Sequence, residues 1–300
     1  MSKRSWRLAA VVAIACANLL AFHTGVAIAQ TTSADQALYE NVHQLLDQDK
    51  SGDALTLLNT TIAANGTPMA YTLRCEVYTR LQKYDIAAPD CAKALQLAPT
   101  FALVHQTEGD RLYDSGDLQG SLKEYDAYLA LNPSDAAGYW RRCDARRRLS
   151  DWAGAQADCD KAIAAYPKDP KVRISRGHIE LQNKAYDKAY ADFDFAVSAL
   201  PGNTIALYWR GYTALQLNRY DQAVADFTAA IKNGDEAPDT YSNRALAYLA
   251  LGKKDLARAD WEKAIALDQK YGQCEAALQL AIDEMVKLGV HTVGLNPLCK

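Results

Sequence analysis

The sequence has no surplus of positive charge. Its 33 lysines and arginines stand against 36 aspartates and glutamates, for a formal net charge of −3 and a pI near 6.0. Phosphate binding needs a basic face, so nucleic acid is excluded as the main partner. Histidine is scarce, at five residues. Those beyond residue 29 are His43, His105, His178 and His291; they lie far apart in the chain, and no histidine or cysteine set has metal-ligand spacing. There is no Gly-x-Ser-x-Gly elbow, no glycine loop to cradle a phosphate and no Cys-x-x-Cys turn. No catalytic residue, cofactor or metal ion is therefore expected, and the chain reads as non-enzymatic. At 49% apolar and 23% charged residues, wholesale disorder and collagen-like structure are also excluded.

The first thirty residues read as an address. Lys3, Arg4 and Arg7 precede an apolar run from Leu8 to Phe22, and Ala27 and Ala29 offer small side chains where a signal peptidase reads. That run falls short of the about 20 residues a spanning helix needs. Cleavage after Ala29 is expected, with the mature protein in a periplasm or secreted and without an integral membrane segment. It removes three positive charges and no negative one, taking the net charge from −3 to −6. Cys16, preceded by Ala13-Ile14-Ala15, gives the alternative of a lipoprotein processing site. Six cysteines remain after cleavage, an even number that suggests oxidised pairs in an exported chain.

Beyond the address the chain repeats. Pro99, Pro133, Pro167 and Pro201 are each 34 residues apart, and they set units at 68–101, 102–135, 136–169, 170–203, 204–237 and 238–271, with a degenerate one at about 35–67. Position 8 of the units reads Cys75, Gly109, Cys143, Gly177, Gly211, Ala245. Position 24 reads Cys91, Tyr125, Cys159, Phe193, Phe227, Trp261. Positions 20 and 27 are small throughout, apart from Tyr128 at position 27 of the second full unit.

Small residues at 8, 20 and 27, an aromatic at 24 and proline at 32 resemble the tetratricopeptide repeat family, over essentially the whole mature chain. The resemblance implies an all-α fold: a right-handed solenoid of about seven helix-turn-helix repeats over 30–271, with a capping helix and tail in 272–300. Apolar spacing of three and four agrees, and the turn between helices falls at positions 14 to 16, as in Leu217-Asn218-Arg219. One unit cannot bury its own apolar face, so neighbours must stack. Pro89 falls inside a second helix and is expected to kink it. Residues 273–288 read as the closing helix.

Comparing the units exposes two couplings. Where position 8 is small, position 24 is aromatic; where one is cysteine, so is the other. A simultaneous switch in two units implies contact, and predicts disulfides Cys75–Cys91 and Cys143–Cys159, with free buried thiols as the alternative. Cys274 and Cys299 pair by elimination. The second coupling is ionic: Arg74, Arg142, Arg176, Arg210 and Arg244 at position 7 face Asp90, Asp158, Asp192, Asp226 and Asp260 at position 23. The 102–135 unit carries Glu108 and Glu124 instead and is expected to be locally weaker.

In the family the first helix of each repeat lines the concave face through positions 2, 5, 9, 12 and 13. Carried over, the resemblance makes Tyr113, Trp140, Arg147, Arg148, His178, Tyr208 and Tyr212 the candidate partner contacts, with Asp110, Asp114 and Asp144 beside them. Aromatic and arginine side chains suit a protein interface; Tyr208 and Tyr212 could equally pack between helices. Arg141–Arg148 concentrates five arginines on one helix, either as a site for an acidic peptide or headgroup or as a solvated and paired face. The Lys/Asn clamp of chaperone adaptors is absent, since the matching positions hold Thr72, Glu76, Gln106 and Asp110. The expected function is an exported scaffold or adaptor that takes a protein or peptide partner in its groove. A lipoprotein or accessory subunit of an envelope assembly or secretion machine, and an accessory or cryptic envelope enzyme, stand as alternatives.

Overall fold

The computed structural model describes residues 32–271. The address segment 1–29 with Cys16, the closing helix 273–288, and Cys274 and Cys299 all lie outside the described residues. Within them the chain forms fourteen α-helices and no strand, in two compact units, one ending at Tyr166 and one beginning at Pro167. The first contains α1 (Ser33–Asp47), α2 (Ser51–Asn65), α3 (Pro68–Arg80), α4 (Tyr84–Leu97), α5 (Ala102–Ser115), α6 (Leu118–Leu131), α7 (Ala136–Arg148) and α8 (Trp152–Ala165). The second contains α9 (Pro170–Gln182), α10 (Tyr186–Ala199), α11 (Thr204–Gln216), α12 (Tyr220–Lys232), α13 (Pro238–Ala250) and α14 (Lys254–Tyr271). Each odd-numbered helix packs on the even-numbered one after it, and within each unit neighbouring hairpins stack. This is the helical-repeat solenoid architecture.

Local chemistry sets the helix ends. The side chains of Thr67, Asp135, Asp169 and Asn203 accept first-turn backbone N–H groups of α3, α7, α9 and α11. Pro68, Pro170 and Pro238 occupy first turns, where a missing N–H costs nothing. Every hairpin turns through one left-handed residue at the same position: Asp49, Gln82, Gly116, Ser150, Lys184, Asn218 and Gly252. At six of the seven the next N–H reaches back to the helix end, as Lys184's neighbour Ala185 does to the Glu180 carbonyl at 2.8 Å, which closes a Schellman cap. Pro89 does not interrupt its helix: α4 runs unbroken from Tyr84 to Leu97.

Packing explains the first coupling. A Cβ built on Gly109 would lie 2.6 Å from the Tyr125 ring, and one on Gly177 would lie 2.8 Å from Phe193. The small residue is the space the aromatic fills. In two hairpins a disulfide takes the same place: Cys75–Cys91 and Cys143–Cys159 join α3 to α4 and α7 to α8, with Cα atoms 5.5 and 5.4 Å apart. Tyr128, the one large residue at position 27, is accommodated by Gly138, whose Cβ would come within 2.6 Å of its ring. Its hydroxyl donates to Asp135, the cap of α7, at 2.7 Å.

The second coupling is a set of five buried staples. Each arginine at position 7 pairs bidentately with the aspartate sixteen residues on, in every case through Nε and Nη2 at 2.5–2.9 Å. Four of them use Nη1 to reach the previous hairpin as well: Arg74 to Asn59, Arg142 to Asp126, Arg210 to Asp194 and Arg244 to Thr228. One guanidinium thus ties three helices. The 102–135 hairpin finds other partners for its glutamates. Arg111 pairs with Glu108 at 2.6 and 2.7 Å, and His105 meets Glu124 at 2.7 Å. Residues of α5 thus take up the two glutamates in place of the position-7 arginine.

Candidate partner-binding face

In the first unit α1, α3, α5 and α7 lie side by side, and their shared face is a mosaic of tyrosines and paired charges. Tyr113 donates its hydroxyl to Asp144, which also accepts from Arg147 Nε at 2.8 Å. The Arg148 guanidinium lies over the Tyr113 ring, 4.6 Å from its centroid. Burial, then Asp144, pushes the Tyr113 phenol well above its usual range, so it stays protonated and remains a donor. Beside it Arg141 Nε binds Asp110 at 3.0 Å, and Asp110 accepts the Tyr125 hydroxyl at 2.8 Å. Burial works against the Arg141 charge, but Asp110 with Tyr125 and Tyr128 outweighs it and holds the guanidinium ionised.

Asp114 is exposed yet crowded by its neighbours. That crowding and the nearby Asp110 carboxylate raise its carboxyl to about 6, against the opposing pull of Arg148. Trp140 is half-buried on α7, with the Arg141 guanidinium 6.0 Å from its ring. The arginine-rich helix is thus not a bare positive patch. Arg141, Arg142, Arg146 and Arg147 each reach an aspartate, and Arg148 stacks on Tyr113.

The second unit presents a different surface from α9, α11 and α13. Trp209 stands at its centre. The His178 ring meets it edge-on at 4.4 Å, Tyr208 at 5.0 Å and Tyr212 at 5.6 Å. The cluster rests on Phe193 and Phe227, both fully buried. Tyr208 accepts a hydrogen bond from Asn243 of α13 at 3.1 Å. The four rings are half-buried, so each packs on one side and keeps some surface on the other.

Among the described residues one group of three side chains could offer ligand atoms to a metal: Cys75, Cys91 and Glu108, within 4.8 Å of one another. Both sulfurs are consumed in the disulfide and both Glu108 oxygens accept from Arg111, so this set has no arrangement to offer an ion. No described helix is long and apolar enough to cross a membrane.

The sequence candidates therefore fall into two clusters, Tyr113 with Arg147 and Arg148 in one unit, and His178 with Tyr208 and Tyr212 in the other. Three contributors escaped the positional pattern. Trp209 and Arg141 sit at position 6, outside the set of positions 2, 5, 9, 12 and 13. Tyr39, stacked on His43 at 4.0 Å near Glu76, lies in the degenerate first repeat.

A family model described as Tetratricopeptide repeat matches residues 107–170, 142–204, 174–238 and 208–272. Solved structures of similar fold include a tetratricopeptide repeat protein from Parabacteroides merdae, at 18% identity and a TM-score of 0.59, covering 84% of this chain and 100% of that one. Pseudomonas aeruginosa pilF is similar at 16% identity and 0.64, covering 72% of this chain and 97% of that one. PilW, described as a type IV pilus biogenesis factor, is similar at 19% and 0.62, covering 72% and 98%. At these identities the likeness is one of fold.

Proposed function

Because this chain belongs to the tetratricopeptide repeat family, whose fold serves as a scaffold for protein–protein interaction, we propose that it is an exported, non-enzymatic adaptor. A polypeptide segment of its partner lies along the first-helix faces. The observation that carries this reading is the aromatic cluster of the second unit. Four large rings from two helices keep partial exposure around Trp209, and such rigid, amphipathic side chains dominate interface energetics. The buried staples and the two disulfides support a preorganised surface, which lowers the ordering cost of binding. Export rests on the character of residues 1–29, a basic start, an apolar run and Ala27-Ile28-Ala29.

Trp209→Ala tests the reading. Affinity for a partner recovered by in-cell crosslinking should fall by roughly thirtyfold, the level of an interface hot spot, with thermal stability retained. Equal loss of both would assign Trp209 to the core. Mass spectrometry of the same sample reports the N-terminus. A start at Gln30 supports export of a free adaptor, whereas an acyl group on Cys16 favours the second reading, a lipid-anchored subunit of an envelope assembly.

A further inference from the structure

The hairpin of α5 and α6 is the one complete 34-residue unit that lacks an arginine at position 7, and what replaces it titrates. Position 4 of several units donates to the carbonyl of the proline six residues earlier. Tyr139 does so to Pro133 at 3.1 Å through a hydroxyl, and Arg173 to Pro167 at 3.4 Å through a guanidinium. Arg173 also gives Nη1 to Asp192, nineteen residues on, at 2.9 Å. His105 reproduces both arginine contacts at the same separations: Nε2 to the Pro99 carbonyl at 2.9 Å and Nδ1 to Glu124 at 2.7 Å.

The chemistry of those two contacts fixes the protonation state. A carbonyl oxygen only accepts, so Nε2 must carry hydrogen. A carboxylate also only accepts, so Nδ1 must carry one too. A neutral imidazole has a single N–H and cannot satisfy both. We propose that His105 is a pH-responsive staple, holding α5 on α6 as an imidazolium and releasing the hairpin when it loses its proton.

The surroundings are consistent. Glu124 on α6 is the charged group that faces the ring, and Pro99 supplies its carbonyl from the connection after α4; no charged group from α3, α4 or α7 acts on it among the described residues. The hydrogen bond to Glu124 raises the His105 pKa above its usual value, against the opposing effect of burial. A group raised in the folded state gives its full stabilisation below the unfolded pKa, about 6.5 for histidine, and loses it as pH rises through the higher folded value. Asp114 at the other end of α5 acts in the same direction. Its carboxyl is raised to about 6 by the crowding of its neighbours and by Asp110, opposed by Arg148 of α7, with Tyr84 of α4 alongside. His105 therefore holds the first turn of α5 best in mild acid and least in mild alkali, and this helix carries Asp110, Tyr113 and Asp114. The staple stands on the geometry of the hairpin and does not depend on the identity of any partner.

NMR titration of the His105 imidazole in the full chain, assigned through its own backbone resonances, should give a pKa above about 6.5. Hydrogen exchange over 102–131, corrected for intrinsic rates, should show protection falling between about pH 6 and about pH 8.5, by roughly tenfold for each pKa unit of elevation. His105→Arg should keep its protection at the higher pH, because arginine makes the same two contacts at position 173. His105→Gln should show the lower protection already near pH 6. A His105 pKa at or below about 6.5 overturns the proposal; so does an identical pH profile in wild type and His105→Arg. The wild-type titration decides the matter even where a variant fails to fold.

Discussion

Removing the Arg210 guanidinium isolates the energetics of the staples. Arg210 binds Asp226 at 2.9 and 2.5 Å and Asp194 at 2.7 Å. Asp194 is half exposed and regains water readily, but the Asp226 side chain is only 2% exposed. Arg210→Ala leaves that carboxylate buried with one remaining donor, Gln222 Nε2 at 3.0 Å. Breaking a buried pair from one side costs about 3–5 kcal/mol, because the other charge stays behind. Set against a domain stability of roughly 5–15 kcal/mol, that is enough to unfold the second unit locally. Even in the intact pair burial raises the Asp226 pKa, with Arg210 opposing; without Arg210 it must rise further. A carboxyl raised in the folded state stabilises below its unfolded pKa and loses that contribution as pH rises, so the defect should shrink on acidification. Adding Asp226→Asn removes the stranded charge and should recover a large part of the loss at neutral pH. Hydrogen exchange resolved by helix is the suitable assay, since repeat proteins open in parts and one global midpoint is ill-defined. A loss under about 1 kcal/mol for Arg210→Ala, or no recovery in the double variant, would refute the reasoning.

Other consequences are simpler to read. Replacing Cys143 and Cys159 together by serine opens a loop of about 16 residues and should cost about 3 kcal/mol on the chain-entropy account, read as a lower denaturation midpoint for α7 and α8; an unchanged midpoint would show that the cross-link constrains nothing. Gly177→Ala places a methyl 2.8 Å from Phe193 and should cost about 1–3 kcal/mol, partly recovered by Phe193→Leu. Gly52→Ala, where nothing lies within 4 Å of the new methyl, should be neutral or mildly stabilising, which separates a clash from any general effect of replacing glycine.

The repeat and its couplings were legible because identical physics recurs every 34 residues. Small-with-aromatic and Arg-with-Asp substitutions across units are contact information in a single sequence, and they led to the Gly109–Tyr125 and Arg142–Asp158 contacts. What was not legible is whatever departs from the period. Nothing in the repeat pattern says that Gly138 makes room for Tyr128, or that His105 stands in for an arginine three positions away. The left-handed residue at each turn was hidden for another reason: Gln82, Ser150 and Lys184 adopt it without the glycine that usually announces it. The face was half legible. The pattern named Tyr208 and Tyr212 and passed over Trp209, which sits at position 6, outside the set carried over, yet is half-buried like its two neighbours. Charge in the run Arg141–Arg148 was misleading on its own, since apart from Asp144, three residues before Arg147, the aspartates that neutralise it, Asp110 and Asp158, lie on other helices.

The central claim, that a partner polypeptide lies on the first-helix faces, is tested most directly by placing a photo-crosslinking residue at single positions in the living cell. Tyr212 and Trp140 sample the proposed faces, and Lys93 and Leu256 sample second helices. The account predicts discrete adducts with one polypeptide partner from Tyr212 or Trp140 and none from Lys93 or Leu256. Adducts confined to Lys93 or Leu256, or equal at all four, would contradict it.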